Sequence, residues 1–164
     1  EGIGLDGLWR GWRHIKRAVD NGSDRAARWE MMMASTEGAL AFVKGLGAVH
    51  SMSHAAGRIK ELRLHHGTLN AVILPTILRF NEEACPDTYP RLRQAMGLAA
   101  NADLAKSVEQ LNADLGLPRG LSEMGLTEEL IEDMVPHAIN DLATMTNPKK
   151  VSAEDFADLY RQAM

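Results

Sequence analysis

The chain has 164 residues, of which 45% are hydrophobic, enough apolar content for one domain with a real core and too much for a disordered or fibrous protein. Its formal net charge is -4 and its basic residues are scattered, so the electrostatic footprint of a nucleic-acid binder or of a protein drawn to an anionic membrane is missing. A single cysteine, Cys85, excludes an internal disulfide, nothing at the start reads as a signal peptide, and the longest apolar run, "AVIL", is cut by Pro75 far short of a membrane span. The expected setting is the reducing cytoplasm, with neither nucleic acid nor membrane as partner. The chain opens on Glu1 and enters a helical pattern almost at once, as a piece cut from a longer polypeptide would.

Taken in chain order, the elements read as helices throughout. Leu5, Leu8, Trp9, Trp12 and Ile15 recur at helical spacing until "DNG" at residues 20–22 makes a turn. Ser23 is placed to cap a second helix running through "DRAARWEMMMASTEGALAFVKG" to about Gly45. "GTLNAVILPTILRFNEE" predicts a long apolar helix in which Pro75 removes one backbone hydrogen bond and introduces a kink. Asn101 then caps a segment whose face is Leu104, Val108, Leu111 and Leu115, stopped by Gly116 and Pro118. Thr127 starts a short helix, Pro136 opens another, and "SAED" at residues 152–155 resembles a capping box that starts the last. No stretch alternates with period two, so the fold class is all-α, with about eight helices.

Between the second and third of these helices lies "GAVHSMSHAAG", residues 47–57, followed by "LHHGTLNA". On a helix His50 and His54, four apart, project from one face and can share one cavity, and the small residues around them let another helix or a cofactor approach. A zinc-protease reading fails because Ser51 stands where the general base belongs. His66 is followed by Gly67, which has no side chain to keep a metal or nicotinamide away, and by a helix whose start holds the imidazole rigidly. A half-buried polar face is the competing reading of the histidine pair.

These stretches resemble the iron-containing (group III) alcohol dehydrogenases of the dehydroquinate-synthase-like fold, which carry two histidine motifs in this order. "SDRAARWEMMMASTEGALAF", "LGLPRGLSEMGL" and "TNPKKVSAEDFADLYRQAM" extend the resemblance over essentially the whole chain. It covers the C-terminal helical half of that family. Residues 1–164 are therefore expected to form a single all-helical metal-binding domain, without the family's N-terminal nucleotide-binding domain.

The resemblance implies that His50 and His66 are metal ligands, the ion being iron with zinc as the alternative. It places His54 at the nicotinamide in a catalytic, proton-transferring role, and Gly67 beside the cofactor. His65 stands where many members have proline, and Asn70 also matches the motif. The family's other ligands, an aspartate and a histidine, lie upstream of the matched region. The implied activity is NAD(P)-dependent oxidation of a small alcohol, or reduction of its aldehyde, by a homodimer, with the metal as Lewis acid and the nucleotide on the other domain. The 164 residues alone are expected to bind metal weakly and to turn nothing over. The alternatives are a maleylacetate reductase-like oxidoreductase and a non-catalytic helical binding module that retains the fold.

The remaining conspicuous residues carry structural expectations. Met31, Met32 and Met33 read as core gap-fillers, Trp9 and Trp12 as packing, Cys85 as an unreactive thiol, and His14 and His137 as surface or cap residues.

Overall fold

The computed structural model describes residues 1–164, in helices and turns without strands. The chain divides into two compact units, one of Glu1–Lys44 with Cys85–Asp103 and one of Gly45–Ala84 with Leu104–Met164. No helix is long and apolar enough to cross a membrane.

In the first unit α1 (Gly2–Asp20) packs along α2 (Arg25–Ala41). The contact is close because Gly7 is buried in it: a Cβ there would lie 3.1 Å from Glu37 Cβ and 3.2 Å from the Ala34 carbonyl. Arg10 of α1 reaches Glu30 of α2 at 2.6 Å. Asp24, not Ser23, caps α2, its carboxylate accepting the Ala27 N–H at 3.0 Å; that bond and the adjacent Arg17 hold the carboxyl below its ordinary pKa. The α-helix ends at Ala41 and tightens into a 3-10 turn, Phe42–Lys44. The methionine run is not a core filler either, since Met32 is 64% exposed and Met31 and Met33 are half-buried. Helix α5 (Thr88–Met96), which no apolar periodicity announces, packs on α1 and ends at Gly97, in the left-handed region at φ 70°.

The second unit holds α3 (Ala48–Ala56), α4 (His66–Asn81), α6 (Leu104–Asp114), α7 (Ile131–Ile139) and α8 (Ala153–Ala163). Its core gathers Met52, Leu69, Ile73, Met134, Phe156 and Tyr160. Helix α3 lies at the centre, its Ala48, Ser51, Met52, Ser53, Ala55 and Ala56 all buried, and the alanines and serines among them let α4 and α7 pack on it. Pro75 sits inside α4, where its ring nitrogen cannot donate to the Ala71 carbonyl one turn back; Asn112 of α6 supplies that bond instead, Nδ2 to Ala71 O at 2.7 Å. Asn101 stands three residues before α6 rather than at its cap. Pro136 opens no helix of its own. After a 3-10 turn at Glu128–Leu130, one helix runs through it from Ile131 to Ile139. Helix α8 starts with the expected capping box of Ser152 and Asp155.

Candidate metal centre

Two helix starts carry the first two imidazoles. Before α3, Gly47 adopts φ 87° and donates its N–H to the Ala143 carbonyl at 3.0 Å. Asn147 Oδ1 then accepts the Ala48 N–H and the Asn81 amide, each at 3.1 Å. The start of α3, the end of α4 and the 3-10 turn Leu142–Thr146 are thus tied at one asparagine, and His50 follows on the first turn of α3. Further along α3, the buried Tyr160 hydroxyl of α8 donates to the Met52 carbonyl at 2.9 Å.

His66 is the first residue of α4, and His65 caps that helix, its Nδ1 accepting the Thr68 N–H at 3.3 Å. The cap occupies His65 and leaves His66 to meet α3. A Cβ on Gly67 would fall 3.1 Å from the His65 ring, so the glycine makes room for the capping imidazole.

The ring centroids of His50 and His66 are 5.3 Å apart, those of His50 and His54 5.6 Å, and His54 stacks on His66 at 5.4 Å with 18° between the planes. Asn70, one turn into α4, brings its amide nitrogen within 3.0 Å of His66 Nε2 and 3.5 Å of His50 Nε2. The two Nε2 atoms therefore face one point. Ser53 Oγ donates to the His50 carbonyl at 3.1 Å and lies 3.5 Å from His66 Nδ1. With its own proton used, Ser53 can only accept from His66, which favours the Nδ1–H tautomer and leaves the His66 lone pair on Nε2.

The electrostatics favour the neutral form of these two rings. Burial foremost, then the neighbouring His66 and His54, push the His50 pKa below its ordinary value against a small opposing pull from Asp141. Burial, His54 and His65 do the same to His66. Both residues also stand in the first turn of a helix, where the positive end of the helix dipole disfavours an imidazolium. A metal needs neutral imidazole, and here the fold supplies it.

His54 is engaged differently. Its Nδ1 lies 2.9 Å from Oδ2 of Asp141, whose other oxygen accepts the Ala143 N–H at 2.8 Å. No three His, Cys, Asp or Glu side chains come together as a set that could hold a metal. The buried Asn70 Oδ1 has no hydrogen-bond partner. Two imidazoles whose Nε2 lone pairs converge on one point fit one side of the coordination shell of a divalent ion such as iron or zinc.

The sequence singled out His50, His54, His66, Gly67 and Asn70, and all five lie in this one region. It missed Asp141, Asn147 and Tyr160. Asp141 carries a readable signal as an N-cap two residues before Ala143, but nothing in its position, 87 residues beyond His54, announces the imidazole it meets. Cys85 is half-buried, and burial pushes its thiol pKa up, as an unreactive cysteine requires.

Residues 12–164 match the model of the Fe-containing alcohol dehydrogenase family, C-terminal. The chain is 50% identical over 171 residues to the 4-hydroxybutyrate dehydrogenase of Cupriavidus necator, covering 100% of this chain and 45% of that protein. It is 34% identical over 160 residues to the NAD-dependent methanol dehydrogenase of Bacillus methanolicus, covering 92% and 42%. The crystal structure of a 1,3-propanediol oxidoreductase superposes with a TM-score of 0.93 at 29% identity, over 100% of this chain and 45% of that one. The chain belongs to the Fe-containing alcohol dehydrogenase family, and its helices form the fold of that family's C-terminal domain. It spans less than half the length of these relatives.

Proposed function

We propose that this chain is the metal-binding half of an NAD(P)-dependent alcohol dehydrogenase, with His50 and His66 as two ligands of a catalytic iron or zinc ion. The observation that carries this reading is the convergence of the two Nε2 atoms, from two different helices, on one point beside Asn70. The 50% identity to a 4-hydroxybutyrate dehydrogenase and the match to a methanol dehydrogenase support a small alcohol, or its aldehyde, as substrate. A cytoplasmic homodimer completes the reading.

The ion, when bound, supplies a Lewis acid for the alcohol oxygen. The chain's own residues do the rest. His50 and His66 present neutral lone pairs, Ser53 fixes the His66 tautomer, and His54 stands on the face stacked against His66 to accept the proton the alcohol loses, while the absence of a side chain at Gly67 accommodates the His65 cap that leaves His66 facing α3. A catalytic zinc normally keeps about three protein ligands. Two imidazoles leave the ion short, so the remaining donors and the nucleotide site come from the part of the relatives that this chain does not match.

The test is turnover of a small alcohol with NAD or NADP by this chain joined to a family nucleotide-binding domain. His50→Ala and His66→Ala should each abolish metal content and activity together. Activity surviving both substitutions, or robust alcohol oxidation by the 164 residues alone, would overturn the reading.

A further inference from the structure

We propose that Asp141 is a positioning residue that sets the tautomer of His54 and so leaves Nε2 of that ring as its proton acceptor. The role of His54 rests on the dehydrogenase reading above; the hydrogen bond that positions it does not.

Asp141 Oδ2 lies 2.9 Å from His54 Nδ1. A carboxylate can only accept, so a neutral His54 must carry its proton on Nδ1, and its lone pair is on Nε2. Free imidazole side chains favour the opposite arrangement, so the carboxylate imposes this one. Asp141 is itself held. Its Oδ1 accepts the Ala143 N–H at 2.8 Å as the cap of the Leu142–Thr146 turn, and its own N–H donates to the Ala138 carbonyl at 3.2 Å. That turn is anchored in its place. Thr144 Oγ1 lies 2.7 Å from both Ser51 Oγ and the Ala138 carbonyl, and the Ala143 carbonyl accepts the Gly47 N–H. The acceptor therefore cannot swing away from the ring without breaking the cap and the turn beneath α3. Stacked on His66 and tied at Nδ1, His54 is fixed in plane and in tautomer, a geometry that surface packing of a histidine does not require. A carboxylate behind an imidazole, holding one nitrogen so that the other can take a proton, is a recurrent solution to proton transfer on unrelated folds.

Asp141→Asn separates positioning from structure. Asparagine keeps an oxygen for the Ala143 N–H, and caps as well as aspartate, but turns an N–H donor toward His54. The ring must then offer a lone pair at Nδ1 and carry its proton on Nε2. The experiment is ¹⁵N–¹H correlation of the histidine side chains in the 164-residue chain at alkaline pH, with His54→Gln assigning the signal. The expected result is Nδ1–H in the wild type and Nε2–H in Asp141→Asn. A wild-type ring protonated on Nε2, or an Asp141→Asn ring unchanged from wild type, overturns the proposal. Zn²⁺ binding to the same samples keeps the two readings apart. Asp141→Asn should leave the Zn²⁺ dissociation constant within about twofold of wild type, because Asp141 acts on a ring that is not a ligand. A tautomer switch in a chain whose Zn²⁺ binding is indifferent to His50→Ala would sink the metal reading and leave the positioning by Asp141 standing. Joined to a nucleotide-binding domain, Asp141→Asn should lower kcat by about 10²-fold with KM little changed. Unchanged kcat in a variant whose tautomer has switched overturns the positioning role.

Discussion

The bond between Asn112 and the Ala71 carbonyl allows a quantitative test of how α4, the helix that carries His66 and Asn70, tolerates a proline in its middle. Pro75 has no N–H to donate to Ala71 O, and Asn112 Nδ2 fills the gap at 2.7 Å in a partly buried setting. Asn112→Ala removes the bond and leaves the carbonyl with no donor from its own helix. A made hydrogen bond contributes about 1 kcal/mol net, and an orphaned buried acceptor costs about 1–3 kcal/mol, so the partly buried carbonyl should lose about 1.5 kcal/mol. In a Pro75→Ala background residue 75 regains its N–H and closes the ordinary helical bond to Ala71. There the same Asn112→Ala change should cost less than about 0.5 kcal/mol, giving a coupling of about 1 kcal/mol. The assay is urea unfolding of the four proteins followed by far-ultraviolet circular dichroism, with equal m-values as the check that only stability changed. The cavity left by Pro75→Ala cancels in the cycle. An equal cost for Asn112→Ala in both backgrounds would mean that Asn112 does not stand in for the missing Pro75 N–H.

Two further outcomes follow from the packing. Burial, together with the neighbouring Asp6, raises the Glu37 carboxyl above its ordinary pKa, and its Oε2 is buried without a partner. A carboxyl with a raised folded pKa contributes stability that is complete below the unfolded value of about 4.3 and is lost as pH rises through the folded one. Glu37→Gln should therefore leave Tm unchanged at pH 4 and raise it relative to wild type at pH 7; a lower Tm at pH 7 would show that the pairing with Arg10 at 3.4 Å outweighs the burial. Tyr160→Phe removes the donor to the Met52 carbonyl in the middle of α3 and should cost about 1–2 kcal/mol in urea unfolding, whereas a neutral result would mean that the carbonyl finds another partner.

What the sequence made legible is what short-range physics controls. The all-helical class, the capping box at Ser152 and the placing of His50 and His54 on one helix with His66 at the start of the next all follow from spacing and local caps. The errors lie where two local signals compete or where the deciding contact is distant. Ser23 and Asp24 are both good caps, and the carboxylate beside Arg17 wins. Pro136 reads as a helix start, but the helix from Ile131 keeps its apolar face through Met134 and Ala138 and runs past the proline. The methionine run is apolar at every position, so composition gave no clue that Met32 faces out. Helix α5 hides in "TYPRLRQAM", where charge and a first-turn proline mask a face of only Tyr89 and Met96. Asp141 and Asn147 act across 87 and 99 residues, on His54 and on the Ala48 N–H, and no periodicity encodes such pairings.

In the proposed dehydrogenase, His50 and His66 hold one metal ion between them. The most direct measurement is titration of the 164-residue chain with Co²⁺, followed by its visible absorption and by the histidine ¹⁵N signals. One weak site is expected, with the Nε2 resonances of His50 and His66 perturbed together and those of His14 and His137 untouched, and with its loss in either His50→Ala or His66→Ala. Co²⁺ binding that survives both substitutions, or that perturbs His65 in place of His66, would contradict it.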